Sequence, residues 1–165
     1  MRILGLDPGL ARMGWGVIAV SGSRLTHIAH GVIVTRTADG LGLRLMALHR
    51  ALEEVIARER PVAIAVEQAF VAKDPSAALK IGHARAVALL AAAQQGLEIA
   101  EYAPNHIKKS VVGVGHAQKE QVQAMVKRLL PTCRVEQADA ADALAAAIAH
   151  AHLAGTRARM MAALA

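Results

Sequence analysis

Cysteine is nearly absent from this chain, which contains only Cys133. A single thiol cannot form an intramolecular disulfide and cannot build a zinc site from several cysteines. This scarcity is typical of a protein that works in a reducing cytoplasm, and we interpret Cys133 as a small hydrophobic residue. The eight histidines show no spacing typical of metal ligands. His150 and His152, for example, are two apart and would point to different sides of a helix.

Long uninterrupted apolar runs are also missing, although 55% of the residues are hydrophobic. Gly5 and Asp7 interrupt the apolar N-terminus, and charged residues interrupt the later apolar stretches at Arg85, Asp139 and Asp142. A signal peptide needs a continuous apolar core, and a membrane span needs about 20 predominantly apolar residues. The sequence therefore predicts neither export nor a membrane span, and it predicts a cytoplasmic protein.

Aromatic side chains make up 2% of the residues, and basic residues outnumber acidic ones. The formal charge of +6 favours a polyanionic partner such as nucleic acid, although a basic protein that is merely soluble also fits it. Trp15 and Tyr102 lie in predicted strands, where we expect them to pack. Phe70 is predicted to lie in a loop just after a strand, where it either belongs to the core or stacks on an unpaired base.

The order of the predicted elements indicates an α/β protein with a mixed sheet flanked by helices. Runs rich in β-branched residues, separated by turn signals, predict strands at residues 2–7, 14–20, 25–35, 62–66 and 97–102. Apolar residues at three- and four-residue spacing predict helices at residues 40–60, 75–95, 118–130 and 138–153, with a short one around residue 108. We expect a single domain over residues 1–155 and a frayed tail over residues 156–165.

Four carboxylates stand where such a fold would bring them together. Asp7 ends the first strand before a Pro-Gly turn, and Glu67 ends a buried strand, where α/β sheets place ligand sites. Asp139 and Asp142 are three residues apart, so they share one face of a helix. A turn or a helix cap is the alternative for Asp7 and Asp139. In a basic chain, however, the four together predict a pair of divalent metal ions that cut a phosphodiester.

A glycine-rich segment before a helix is the second candidate site. Residues 113–119, Gly-Val-Gly-His-Ala-Gln-Lys, place a turn at a helix N-terminus, whose free amides can bind a phosphate. A simple flexible turn explains the glycines equally well. Nearby lysines favour phosphate contact, and the candidate residues are Lys108, Lys109, Gly115, His116 and Lys119.

Five motifs follow one another in a recognisable order. They are Leu-Gly-Leu-Asp-Pro-Gly, Val-Glu-Gln-Ala-Phe, Ala-Leu-Lys-Ile-Gly-His-Ala-Arg, Val-Val-Gly-Val-Gly-His-Ala-Gln-Lys and Gln-Ala-Asp-Ala-Ala-Asp-Ala-Leu. With them the sequence resembles the RuvC family of bacterial crossover junction endodeoxyribonucleases, the Holliday-junction resolvases, from residue 2 to about residue 153. Five ordered motifs are a specific signal, whereas Asp-Pro-Gly alone is not.

The resemblance implies a ribonuclease-H-like fold with a mixed five-stranded sheet, and a homodimer that nicks four-way DNA junctions symmetrically in recombination and repair. It implies hydrolysis with two Mg²⁺ ions per active site, with Mn²⁺ as a substitute, leaving 5′-phosphate and 3′-hydroxyl ends. It also implies work alongside the RuvA and RuvB branch-migration complex. A helix near residues 76–95 is our candidate for part of the dimer interface.

The resemblance also assigns residues, motif by motif. The implied metal ligands are Asp7, Glu67, Asp139 and Asp142. Phe70 falls on the base-contacting aromatic residue of the family, and Lys108 and Lys119 fall on its phosphate-contacting lysines. Some family members have histidine where Asp139 stands, and His116 occupies a variable loop position whose role stays open.

Two other function classes fit parts of the sequence. A non-catalytic nucleic-acid binder on the same fold would explain the basic charge, but four clustered acids weaken phosphate binding unless metal is bound. The segment from Asp7 to Gly16 is also similar to the first phosphate loop of actin- and Hsp70-like ATPases. Those ATPases need a second lobe, for which 165 residues are too few. Assays of ATP hydrolysis and of metal-dependent junction nicking distinguish these function classes.

Overall fold

The computed structural model describes the backbone of residues 1–68 and 74–163 and the side chains of residues 1–68 and 74–156. In these ranges the chain forms a sheet with helices on both faces. The strands are β1 (Arg2–Asp7), β2 (Arg12–Ser21), β3 (Arg24–Val34), β4 (Ala63–Glu67) and β5 (Glu98–Tyr102). The helices are α1 (Leu41–Glu59), α2 (Pro75–Gln94), α3 (Pro104–Val112), α4 (Lys119–Leu129) and α5 (Ala138–Ala163).

The sheet is mixed and has five strands in the order β3-β2-β1-β4-β5. The first three strands form an antiparallel meander, whereas β4 and β5 run parallel to β1. The predicted fold class is therefore confirmed. Leu6 pairs with Val66 across β1 and β4. Asp7 and Glu67, each one residue further on, consequently leave the sheet at the same edge from neighbouring strands.

Two apolar layers cover the sheet. One face packs against α3, α4 and α5, and the other packs against α1 and α2. Strand β1 contributes to both because successive strand residues face opposite sides: Ile3 lies in the first layer, and Leu4 and Leu6 lie in the second. This explains why β1 and β4 are apolar at almost every position.

Glycines on β1 and β2 let α5 lie directly on the sheet. A Cβ atom on Gly14 would lie 1.9 Å from the backbone oxygen of Asp139, and one on Gly5 would lie 1.9 Å from that of Ala143. Gly16 faces the side chain of Leu144, which a Cβ atom would approach to 2.5 Å. These glycines therefore set the depth at which the first turns of α5 meet the end of β1.

We expect Gly14→Ala to destabilise the protein by about 1 to 3 kcal/mol or more, because the added methyl group would overlap the backbone of α5, which cannot move independently. Gly42→Ala, in α1, is the matched control, since a Cβ atom there meets no heavy atom within 4 Å. This second change should be neutral or stabilise by about 0.5 to 1 kcal/mol. Urea unfolding of both variants gives the comparison, and equal stabilities would show that α5 does not rest on Gly14.

Helix α5 is longer than predicted. It continues to Ala163, whereas the sequence pattern placed its end near Leu153. Gly155 costs a helix interior only about 1 kcal/mol, and no proline follows it to stop the helix. The division into one domain over residues 1–155 and a tail stays a prediction.

Helix α2 is long and apolar enough to cross a membrane by length and composition alone. One such helix is weak evidence for a span, since a helix packed in a globular protein passes the same test. Ala84, Ala88 and Ala91 of α2 are buried against the sheet. The guanidinium of Arg85 pairs with the carboxylate of Glu101 on β5. These contacts dock α2 on the domain.

Candidate active site

The carboxyl ends of β1 and β4 meet the N-terminal turns of α5 at one edge of the sheet. Asp7 is the last residue of β1, Glu67 is the last of β4, and Asp139 and Asp142 lie near the start of α5. The charges of both helix aspartates act on Asp7, and those of Asp7 and Asp142 act on Glu67. The structure thus brings the four predicted carboxylates into one cluster. Their role as metal ligands stays a prediction.

Among the described residues, two cations pair with this cluster. The Nζ atom of Lys119, at the start of α4, lies 2.7 Å from Oδ2 of Asp142, and the Nε atom of Arg12 lies 2.7 Å from Oδ2 of Asp139. Both cations are about half exposed. Arg12 was not identified from the sequence, where its only signal is its place at the start of β2, just after the turn that follows Asp7.

Burial and mutual repulsion raise the pKa of two of the carboxyl groups. The pKa of Asp7 rises to about 6, chiefly through burial and then through the charges of Asp142 and Asp139, while Lys119 acts in the opposite direction. The pKa of Glu67 rises to about 7, again chiefly through burial and then through Asp7 and Asp142. A divalent cation between these groups would relieve the repulsion and favour their ionised form.

These raised pKa values predict that ionising the two carboxyl groups lowers the folding stability of the metal-free protein as pH rises. Asp7 binds a proton more tightly in the folded chain than in the unfolded chain, so its contribution to stability falls as pH rises from about 4 towards about 6. We expect Asp7→Asn to be more stable than the parent chain at pH 7.5 in EDTA, on the order of 2 kcal/mol. At pH 4, where Asp7 is protonated in the folded chain, the two should unfold alike.

Urea unfolding of both proteins at the two pH values measures this effect, which includes the relief of Glu67, since the charge of Asp7 helps to raise the pKa of that carboxyl group. Adding Mg²⁺ at pH 7.5 should stabilise the parent chain and leave Asp7→Asn nearly unchanged. An Asp7→Asn variant that is less stable than the parent at pH 7.5 in EDTA would show that the ionised Asp7 does not destabilise the folded chain.

A pocket of about 230 Å³ opens beside the cluster. Glu67 and Asp142 supply acidic groups to its wall, and Lys108 and Lys119 supply basic ones. The remaining lining is apolar and comes from Pro104, Ile107, Val122 and Ala145. A wall with both signs of charge suits a phosphate group that is bound together with a cation.

The glycine-rich segment lies at a different pocket. Lys109, Gly115 and His116 line it, together with Asn105 and His106 among others. Lys108 and Lys109 are adjacent in α3 and therefore face different pockets. The structure thus separates the phosphate-contact candidates into two groups.

The N-terminus of α4 offers fewer free amides than the sequence suggested. The side chain of Gln121 accepts a hydrogen bond from the backbone N–H of Gln118, and the backbone N–H of Gln121 donates to the carbonyl oxygen of Gln118. These two hydrogen bonds occupy backbone N–H groups that would otherwise be free to bind a phosphate. Phosphate contact at this end consequently depends more on the side chain of Lys119.

The donor atoms of the cluster match a hard divalent cation. All four side chains offer carboxylate oxygens, which suit Mg²⁺ and Mn²⁺ rather than a softer metal. The residues present therefore fit the predicted cofactor class. Phe70, the predicted base-contacting residue, lies outside the described residues.

The chain is similar to known proteins both in sequence and in structure. The family described as "Crossover junction endodeoxyribonuclease RuvC" matches residues 3–150. A protein with that name from Parvibaculum lavamentivorans is 57% identical, covering 99% of this chain and 94% of its own length. One from Paracoccus denitrificans is 59% identical over 92% of each chain. A structure described as Thermus thermophilus RuvC with a Holliday junction substrate has a TM-score of 0.90 and 34% identity, covering 95% of this chain and 96% of that one.

Proposed function

Because this chain belongs to the RuvC family of crossover junction endodeoxyribonucleases, we propose that it resolves four-way DNA junctions by nicking two of their strands. The observation that carries this function is the meeting of Asp7, Glu67, Asp139 and Asp142 beside a lysine-lined pocket in a basic chain. A protein that only bound DNA would gain nothing from four acids at that position.

The cluster is proposed to hold divalent metal, two Mg²⁺ ions per site, with Mn²⁺ as a substitute. When bound, such ions activate water and stabilise the departing 3′ oxygen of a phosphodiester. The chain's own contribution is to fix the carboxylates on rigid elements: two strand ends and one helix seated on glycines. Cleavage of this kind leaves 5′-phosphate and 3′-hydroxyl ends, which a ligase can join.

Lys119 and Lys108 are the proposed phosphate contacts at this site. In the metal-free chain the ammonium group of Lys119 pairs with Asp142, and that hydrogen bond is the main reason its pKa is raised. A divalent cation bound by Asp142 would compete with the ammonium group for the same oxygens. Lys119 would then turn to the phosphate that arrives with the DNA, while Lys108 lines the same pocket from α3.

A homodimer is proposed because the substrate presents two equivalent strands, and a two-fold dimer places one active site on each. Helix α2 supplies a candidate interface. Its outer face carries small and apolar residues at three- and four-residue spacing, and these exposed residues are Leu79, Gly82, Ala86, Leu90 and Ala93. Leu79 and Leu90 are 65% and 54% exposed, so this face is the apolar surface that a second copy could cover.

Family membership also supports three further proposals. The chain is proposed to act in the cytoplasm, where its DNA substrate lies, and to work alongside the RuvA and RuvB branch-migration complex. Phe70 is proposed to contact a base at the junction.

The positions and chemistry of the nicks test the proposed function. The chain and Mg²⁺ are incubated with a synthetic four-way junction whose strands carry labels one at a time, and the products are separated on a denaturing gel. We expect nicks at symmetric positions in two strands of like polarity, and we expect DNA ligase to seal the resulting duplexes. Nicks scattered over all four strands, or ends that cannot be ligated, would contradict junction resolution.

A further inference from the structure

Two histidines and the only cysteine of the sequence meet on the sheet face that carries α4 and α5. The Nε2 atom of His27 lies 2.8 Å from Nδ1 of His30, and Sγ of Cys133 lies 4.0 Å from the same Nδ1. One ligand atom from each residue lies within 4.8 Å of the other two. Cys133 is 103 positions from His30 along the chain, so the cluster exists only in the folded protein.

A β-bulge puts both histidines on this face. Residues three apart on a regular strand point to opposite sides. The pairing of β3 with β2 shifts by one residue just before Ile18, which pairs with His27, and Ile28 is the extra residue. His27 and His30 therefore emerge on the same side of β3. Ile18 and Cys133 belong to the same apolar layer, so this side faces the cysteine.

We propose that His27, His30 and Cys133 bind one Zn²⁺ ion at a site separate from the carboxylate cluster. Two imidazoles and a thiolate are ligands that Zn²⁺ prefers, whereas Mg²⁺ prefers oxygen. Tetrahedral zinc places its nitrogen ligands about 3.3 Å apart and a nitrogen and a sulfur about 3.6 Å apart. The observed spacings approach these values, and side-chain rotation within the cluster supplies the remaining adjustment. Water would take the fourth position.

Zinc binding exchanges protons in a defined way. In the metal-free chain the two rings share one N–H between Nε2 of His27 and Nδ1 of His30. Zn²⁺ would bind the lone pairs of Nε2 of His27 and Nδ1 of His30. Whichever ring holds the shared proton would therefore move it to its other nitrogen, and neither imidazole would lose a proton. The thiol of Cys133 gives up its proton to become a thiolate, so one proton is released per ion bound. Burial lowers the pKa of both histidines, which keeps them in the neutral form that ligates metal.

The proposed site would join two parts of the chain that have no covalent link nearby. His27 and His30 lie on β3, an edge strand of the sheet. Cys133 lies in the connection between α4 and α5, six residues before Asp139. An ion bound by all three would fasten this connection to the sheet, so it should raise the melting temperature of the folded chain.

Cobalt spectroscopy tests the site because Co²⁺ binds at zinc sites and, unlike Zn²⁺, absorbs visible light there. The metal-free chain is titrated with Co²⁺ in excess Mg²⁺, which occupies the carboxylate cluster. We expect a thiolate-to-cobalt charge-transfer band in the near ultraviolet and intense visible bands of tetrahedral Co²⁺, saturating at one ion per chain. The first band identifies Cys133 because the sequence contains no other cysteine. Zn²⁺ should abolish both bands by displacement.

Variants locate the other two ligands. His27→Gln and His30→Gln should each weaken Co²⁺ and Zn²⁺ binding by more than about tenfold, since even partners outside the ligand shell contribute about that much. Cys133→Ser should remove the charge-transfer band. His83→Gln, which changes an exposed histidine on α2, is the control and should bind as the parent does. Melting in EDTA checks that every variant is folded. In excess Mg²⁺, which competes for the carboxylate cluster, Zn²⁺ should raise the melting temperature of the parent and of His83→Gln by more than that of the three ligand variants.

Three results would overturn the site. The first is the lack of a charge-transfer band with the folded parent chain. The second is a band that His27→Gln and His30→Gln leave unchanged. The third is saturation at one ion per two chains with a dependence on protein concentration, which would mean that cysteines of two copies share the ion.

Discussion

Asp7→Asn should abolish cutting of a four-way junction while leaving binding of the junction nearly intact. The charges of Asp139 and Asp142 act on this carboxylate, and its own charge acts on Glu67, so we expect a bound cation to depend on it most. Losing several kcal/mol of metal-based stabilisation should slow cleavage by more than about a thousandfold. The basic residues, which we expect to supply most of the affinity for DNA, are unchanged.

Asp39→Asn is the matched control for this experiment. It removes the same charge from the connection between β3 and α1, and Asp39 is not among the groups whose charges act on Asp7 or Glu67. Junction nicking in Mg²⁺ and gel-shift binding without metal are measured on both variants and the parent. Binding by Asp7→Asn should equal or slightly exceed that of the parent, because one repelling charge is gone. Parental cleavage by Asp7→Asn would refute the metal assignment.

Leu79→Glu should convert a dimer into a monomer and uncouple the two nicks. Leu79 is 65% exposed on the outer face of α2, so a charge there is tolerated by the folded monomer but would be buried in the proposed interface. A monomer carries one active site, and it should therefore nick one strand at a time. On a junction in a closed circle, nicked circles should replace the linear products of paired cutting.

Leu43→Glu is the control, since Leu43 is 57% exposed but belongs to α1 and not to the outer face of α2. Analytical ultracentrifugation reports the mass of each variant, and melting curves confirm folding. A Leu79→Glu variant that sediments as a dimer and still makes paired cuts would place the interface elsewhere.

Much of the fold could be predicted because its signals are local. Turn residues and β-branched runs marked the meander, and three- and four-residue apolar spacing marked α1. Asp7 and Glu67 could be predicted to meet because residues at the carboxyl ends of neighbouring parallel strands share an edge. The proximity of Asp139 and Asp142 followed from helix periodicity.

Features made by contacts between distant segments could not be predicted. In the sequence, Gly14 and Gly16 look like ordinary strand residues, and their role depends on the contact that α5 makes with them. Arg12 gains its role only through its contact with Asp139. His27 and His30 have the wrong spacing for one face of a regular strand, and only the bulge at Ile28 aligns them.

Strand nicking on a four-way junction and on a linear duplex of the same sequence, each with Mg²⁺ and with EDTA, tests the central claim most directly. The claim is that the four carboxylates form a metal-dependent active site that acts on junctions. We predict cleavage only of the junction and only with Mg²⁺. Cleavage of the duplex at a comparable rate, or cleavage of the junction in EDTA, would contradict it.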